Sequence, residues 1–101
     1  MTALASLPAS HPGPYRVSVI IPHFNMPEAL ARCLTSVRGQ VLDGAVEIIV
    51  VDNGSRELPS AVVAQFPGVQ LLSEPTPGPG PARNTGVAAA KAPVLAFIDA
   101  D

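Results

Sequence analysis

Two acidic side chains near the end of the sequence have the spacing of a cation site. Asp99 and Asp101 are separated by a single alanine and follow a run of apolar residues that predicts a strand. Such a pair can present oxygens to one hard cation, and Mg²⁺ and Mn²⁺ prefer carboxylate, phosphate and water oxygens. Taken alone, the pair is better explained as two solvated surface acids.

Other polar residues also follow strand-like runs. Asp52 begins an Asp-Asn-Gly-Ser segment, whose residue types favour a turn but whose first carboxylate can accept hydrogen bonds from a base or a ribose. Arg83 lies near the start of a predicted helix, where it is either a solvated arginine or a donor to an anionic ligand. His23 is more simply explained as a hydrogen-bonded loop residue, and Glu74 as a solvated acid. Cys33 lies on an apolar stripe and is predicted to be part of the core.

The elements that must position these residues alternate as β-α-β-α-β-α-β. Asn25 and Glu28 have the spacing of a capping box, which predicts a helix that opens at Asn25 and whose apolar stripe runs to Val41. Pro22 is expected to end the first strand. The predicted strands are 17–21, 46–51, 69–72 and 94–98, and the other helices are 59–66 and 81–91.

Continuous β-branched strands that alternate with helices predict an α/β fold, a Rossmann-like parallel β-sheet with helices on both faces. In such a sheet ligands bind beyond the carboxyl ends of the strands, so the polar residues named above would converge on one edge. The Pro-rich segment 74–81 is predicted to be a loop.

Composition sets the outer limits. The 101 residues suffice for one small domain, which we place at 17–101 after a flexible leader at 1–16 that lacks the features of a secretory signal. The net charge of −2 without a basic cluster argues against a nucleic-acid groove, and no apolar run reaches the ~20 residues of a membrane segment. The single cysteine fits a cytoplasmic protein. A peripheral place at the membrane in a longer protein stays open.

Familiar phosphate-binding signatures are missing. The chain has no G-x-G-x-x-G after the first strand, no P-loop and no serine nucleophile elbow. Phosphate charge would therefore be handled by a metal and a few donors, which returns attention to Asp99 and Asp101.

Four segments together resemble the nucleotide-binding half of family 2 glycosyltransferases, an inverting group with the GT-A fold. They occur in the family's order between Val17 and Asp101. The segments read VSVIIPHFN, EIIVVDNGS, ARNTG and AFIDAD. The sequence departs from the family's pattern at two places. Asn53 occupies a position where the family often has a second Asp, which is a common variant, and the loop before Ala82 is unusually rich in proline.

The resemblance implies roles for individual residues. Pro22 and Asn25 would form part of the nucleoside pocket, Asp52 would read the base, usually uracil, and Arg83 would line the same pocket. The D-x-D motif would place Asp99 on the ribose side and Asp101 on a divalent cation, Mn²⁺ or Mg²⁺.

The implied reaction transfers a sugar, with inversion, from a nucleoside diphosphate donor, expected to be a UDP-sugar, to a hydroxyl of an unknown saccharide, lipid or protein acceptor. The family's catalytic base lies downstream of residue 101, so the chain is expected to be a truncated donor half that is inactive alone. A non-catalytic nucleotide-binding or interaction module of the same fold is the alternative. A sugar-phosphate nucleotidyltransferase ranks lower, because Pro22 to Asn25 is not a glycine-rich basic loop.

Overall fold

The computed structural model describes residues 15–39 and 45–100. Three predictions therefore fall wholly or mostly outside the described residues: the leader at 1–16, the end of the first apolar stripe at Val41, and the cation ligand Asp101.

Four parallel strands form one sheet in the order β3-β2-β1-β4. Their bounds are Val17–His23 for β1, Val46–Asp52 for β2, Gln70–Ser73 for β3 and Val94–Phe97 for β4. The two central strands are almost completely buried, as their β-branched sequences predicted. The sheet confirms the predicted Rossmann-like parallel architecture.

Helices cover both faces of the sheet, which is also as predicted. They are α1 (Pro27–Arg38), α2 (Ser60–Val63) and α3 (Pro79–Ala89). The second helix covers only the first part of the segment 59–66 that was predicted to be helical. Side chains of α1 and α2 share one core cluster with alternate residues of β1 and β2, whereas α3 packs on the opposite face. Cys33 lies in the first cluster, as expected of a core cysteine.

The contact between α3 and β1 is very close. A Cβ added to Gly86 would lie 2.4 Å from Cγ2 of Ile20, which is fully buried. Only a glycine lets the helix backbone approach the strand to this distance. Gly86 therefore sets the distance between α3, which carries Arg83, and the central strand.

The first strand continues through Pro22, although we expected it to end there. The carbonyl of Ile20 accepts a hydrogen bond from the N–H of Ile98 at 3.1 Å, so the backbone of Ile20 faces β4. Backbone groups two residues apart point to the same side, so Pro22 also faces β4. The β1–β4 pairing ends at Ile20 and Phe97. The missing N–H of Pro22 thus removes no hydrogen bond from the sheet.

The predicted capping box at the start of α1 is wrong. The helix begins at Pro27, its N-cap residue is Met26, and no side chain caps it. The oxygen of the Asn25 side chain instead accepts a hydrogen bond from the backbone of Arg56. A partner 31 residues away has displaced the local interaction.

The third helix begins two residues earlier than predicted, inside the Pro-rich segment. Gly78 precedes it with φ 112°, a backbone conformation that favours glycine. Pro79 and Pro81 then lie in the first turn, where backbone N–H groups have no partner within the helix. The prolines therefore help to start α3 rather than exclude it.

A buried polar cluster fixes the amino-terminal edge of the sheet. The Ser18 hydroxyl donates to Oε1 of Glu47 at 2.7 Å, and the same oxygen accepts from the backbone N–H of Lys91 at 2.9 Å. These bonds tie the segment that leads into β4 to the two central strands.

No helix in the described part of the chain is long and apolar enough to cross a membrane.

Candidate functional site

A cavity of about 450 Å³ opens at the carboxyl edge of the sheet. It lies beside the neighbouring ends of β1 and β4. Successive strands are added on one side of β1 up to β3, and β4 is then added on the other side of β1. At the same point the connecting helices change from one face of the sheet to the other. Open parallel sheets bind ligands in such crevices. Its lining consists of Pro22, His23, Phe24, Met26, Asn53, Pro77, Gly78, Pro79, Asp99 and Ala100.

A buried cluster of hydrogen-bonded side chains, formed by His23, Asp52 and Ser55, lies next to the cavity. Nδ1 of His23 lies 2.8 Å from Oδ1 of Asp52, and the backbone N–H of Met26 donates to Nε2 of His23 at 3.1 Å. Because Nε2 accepts a hydrogen bond, the proton of the neutral ring is on Nδ1, which donates to Asp52. The Ser55 hydroxyl also donates to Oδ1 of Asp52, at 2.6 Å.

Asp52 is enclosed by its partners. It is 1% exposed, and the backbone N–H of Ser55 donates to its second oxygen at 2.9 Å. Burial alone would raise the pKa of Asp52, but hydrogen bonds from Ser55 and His23 outweigh burial and lower that pKa. The carboxylate lies next to the cavity without lining it, so direct contact between Asp52 and a base stays a prediction.

Asn25 joins two loops at the same edge. Its φ of 51° is in the left-handed region, which asparagine tolerates better than most residues. Its backbone N–H donates to the Ser55 hydroxyl oxygen at 2.8 Å, and its Oδ1 accepts from the N–H of Arg56 at 2.7 Å. These contacts connect the loop after β1 to the loop after β2. Contact between Asn25 and a ligand stays a prediction.

Asn53 contacts the Pro-rich segment, a role that sequence reasoning missed. Its Nδ2 donates to the carbonyls of Glu74 at 2.9 Å and Thr76 at 2.7 Å. Its Oδ1 accepts from the N–H of Gly78 at 2.9 Å. The one signal in the sequence was that Asn53 stands where the resembled family often has a second Asp.

Glu74 fixes the same segment from the other side. One carboxylate oxygen accepts from the hydroxyl of Thr85 on α3, and the other accepts from the N–H of Thr76 at 2.9 Å. Hydrogen bonds from Thr85 and Thr76 lower the pKa of Glu74. Glu74 is therefore a structural acceptor, not the solvated loop acid that its sequence position suggested.

Arg83 and Asp99 lie close together, as their placement at one sheet edge predicted. Nη2 of Arg83 is 3.6 Å from Oδ1 of Asp99, and their side chains are 41% and 70% exposed. Such an exposed pair contributes little to stability. Both side chains are therefore accessible to a ligand.

One wall of the cavity is apolar. Phe24 is 57% exposed and Met26 43% exposed, and both line the cavity together with Asp99. An exposed aromatic ring in such a place can stack on a planar ligand ring. Sequence reasoning missed both residues, because Pro22 was the only apolar residue that it proposed for the site.

The described residues contain no cluster of three or more His, Cys, Asp and Glu side chains that could hold a metal ion unaided. Asp99 still offers accessible carboxylate oxygens, the donor type that Mg²⁺ and Mn²⁺ prefer. A cation held here would need further oxygen donors, from a ligand or from elsewhere in the chain.

Comparison with known proteins matches most of the chain to one family. Residues 18–101 match the sequence model of the family described as "Glycosyl transferase family 2". Among curated proteins, glycosyltransferase AglE of Haloferax volcanii is 36% identical over 91 residues, which cover 84% of this chain and 30% of that protein. A pre-mycofactocin glycosyltransferase of Mycobacterium tuberculosis is 39% identical over 98 residues, 19% of its length. The chain thus spans about a third or less of these relatives.

Solved structures show the same fold. Glucosyl-3-phosphoglycerate synthase from Mycobacterium tuberculosis, crystallised with Mn²⁺, UDP and glucosyl-3-phosphoglycerate, matches with a TM-score of 0.72 and 29% identity. The match covers 84% of this chain and 33% of that one. TarS of S. aureus matches with a TM-score of 0.71 and 25% identity, over 84% of this chain and 27% of that one.

Proposed function

This chain belongs to glycosyltransferase family 2, and from that premise we propose that residues 17–101 form the donor-binding part of a glycosyltransferase. The ligand is a nucleoside diphosphate sugar, and UDP is its nucleotide. One observation carries the proposal: the fold brings Pro22, Asn53 and Asp99 from three separate segments to one cavity. A structural neighbour crystallised with UDP and Mn²⁺ supports this choice of ligand.

The apolar and the polar residues of the cavity lining suit the two parts of such a ligand. The Phe24 ring and the Met26 side chain offer an apolar surface to the nucleobase. Asp99 would contact the ribose side, and Arg83 would supply donors to anionic oxygens nearby. His23 and Asp52 would hold the strand ends in place below the nucleoside.

A divalent cation, Mn²⁺ or Mg²⁺, fits the donor chemistry of this edge. Asp101 would hold it together with diphosphate oxygens, beside the accessible carboxylate of Asp99. When bound, such an ion stabilises negative charge on a diphosphate leaving group. The guanidinium of Arg83 would add to that stabilisation from the chain itself.

The proposed reaction is direct displacement at the anomeric carbon, with inversion, by an acceptor hydroxyl that a carboxylate deprotonates. His23 does not suit the role of base, because it is buried and both ring nitrogens have hydrogen-bond partners. Glu74 does not suit it either, because both oxygens accept hydrogen bonds. We therefore propose that the catalytic base and the residues that bind the acceptor belong to a part of the enzyme outside this chain.

Isothermal titration with UDP, with and without Mn²⁺, tests the proposal. We expect saturable binding that strengthens with Mn²⁺ and weakens at least about tenfold, the equivalent of 1.4 kcal/mol, in Asp99→Asn. Glu57→Gln is the matched control, since it also removes one exposed negative charge. No binding, or equal binding by both variants, would favour the alternative of an interaction module. UDP-sugar turnover by this chain alone would contradict the assignment of the base.

A further inference from the structure

Residues 74–78, the part of the Pro-rich segment that precedes α3, form part of the cavity wall beyond the end of β3. Pro77 and Gly78 line the cavity, and the segment runs from the end of β3 to the start of α3. Its two prolines have no backbone N–H, so the segment has few donors with which to bind a neighbouring strand. The N–H of Glu74 still donates to the carbonyl of Asp52 at the end of β2, at 2.8 Å. The N–H groups of Thr76 and Gly78 instead donate to side chains.

The Asn53 side chain makes three hydrogen bonds to backbone groups of residues 74–78. Both hydrogens of its amide are used by carbonyls of the segment, at 2.9 Å and 2.7 Å, and its oxygen accepts the N–H of Gly78 at 2.9 Å. Because one end of the amide faces two carbonyl oxygens and the other end faces an N–H group, the first end must be the nitrogen and the second the oxygen. Only an amide provides two donors and an acceptor in this arrangement.

We propose that Asn53 is a positioning residue whose amide latches segment 74–78 into the wall of the nucleotide cavity. A carboxylate of the same shape has no hydrogen to donate and would place negative oxygen against the carbonyls of Glu74 and Thr76. The inference rests on the proposed function only in naming the cavity's ligand.

Hydrogen exchange of the Asn53 side-chain amide in the unmodified protein tests directly whether that amide is held in hydrogen bonds. By NMR, the side-chain NH₂ protons of Asn53 should exchange at least about tenfold more slowly than those of Asn84, which is exposed on α3. This comparison needs no variant, so it holds even if a substitution prevents folding. Equal exchange of the two side chains would overturn the proposal.

Two substitutions then test the need for the amide. Asn53→Ala and Asn53→Asp should each speed exchange of the Gly78 amide and weaken UDP binding about tenfold or more. Gln65→Glu is the control, because it makes the same amide-to-carboxylate change at an exposed position before β3, at the opposite edge of the sheet. It should alter neither quantity.

The pH profile separates a latch from general damage. A protonated carboxyl carries one donor, so the UDP affinity of Asn53→Asp, relative to that of the unmodified protein, should recover as pH falls through the pKa of the new carboxyl. Asn53→Ala should show no recovery. Unchanged Gly78 exchange and UDP affinity in both variants would refute the latch alone. Failure of the unmodified protein to bind UDP, with the exchange results intact, would refute the proposed ligand and leave the latch standing.

Discussion

The ring of His23 donates a hydrogen bond of 2.8 Å to the carboxylate of Asp52, and this buried bond joins the carboxyl ends of the two central strands. The two residues are also register partners at the last position of the β1–β2 pairing. The bond thus sits where the sheet ends and the cavity begins. We interpret it as the support on which the loops carrying Asn25 and Asn53 are built.

Replacing Asp52 by Asn should destabilise the protein. The amide would lose the charge that strengthens the bonds from His23 and Ser55 and leave a buried donor or acceptor without its partner, which costs about 1–3 kcal/mol. Urea unfolding measures the loss. Asp99→Asn is the matched control, since the same change at an exposed side chain should stay within about 0.5 kcal/mol. Equal stability of Asp52→Asn and the unmodified protein would contradict a supporting role for the pair.

The stability of the protein should depend on pH in the acidic range. The pKa values of Asp52 and Glu74 are lowered by folding, so their contribution is fully present above the ordinary carboxyl pKa of about 4. It is lost as pH falls through the lowered values, because protonation then removes the acceptors. Glu74→Gln should flatten part of this fall in unfolding free energy as pH falls below about 4. Glu57→Gln, at an exposed position outside the helices and strands, is the matched control. Parallel profiles for Glu74→Gln and the unmodified protein would show that Glu74 does not contribute.

The contact between α3 and β1 predicts the effect of a single methyl group. Gly86→Ala would place a Cβ 2.4 Å from a side-chain carbon of Ile20, and such overpacking costs about 1–3 kcal/mol. Gly80→Ala is the control in the same helix, because a Cβ there meets nothing within 4 Å. Alanine at that position should be neutral or stabilising by up to about 1 kcal/mol. A thermal melt of both variants decides the matter, and an unaffected Gly86→Ala would mean that the helix can move away from the strand.

The fold could be predicted from local sequence, whereas the site could be predicted only in part. Runs of β-branched residues such as Ile20 and Ile49 fix a buried parallel sheet, because few other structures bury both faces of a strand. Topology then brings Arg83 and Asp99 to one edge. The roles of Asn25 and Asn53 could not be predicted, since each depends on backbone partners more than 20 residues away that exist only after folding.

Apolar and backbone effects account for the other misses. Phe24 and Met26 carry no ionisable group, so only their exposure beside a cavity marks them. The continuation of β1 through Pro22 depends on where β4 stops pairing, which the sequence of β1 does not encode.

The central claim is that the nucleotide binds in the crevice beside β1 and β4, and an NMR titration of the protein with UDP in the presence of Mg²⁺ tests it most directly. We predict that backbone amide signals of Phe24, Asn53, Gly78 and Ala100 shift together with one dissociation constant. Residues Tyr15, Gly68 and Val69, which line a separate cavity of about 320 Å³, should not shift. Shifts confined to that second cavity, or no saturable shifts at all, would contradict the account.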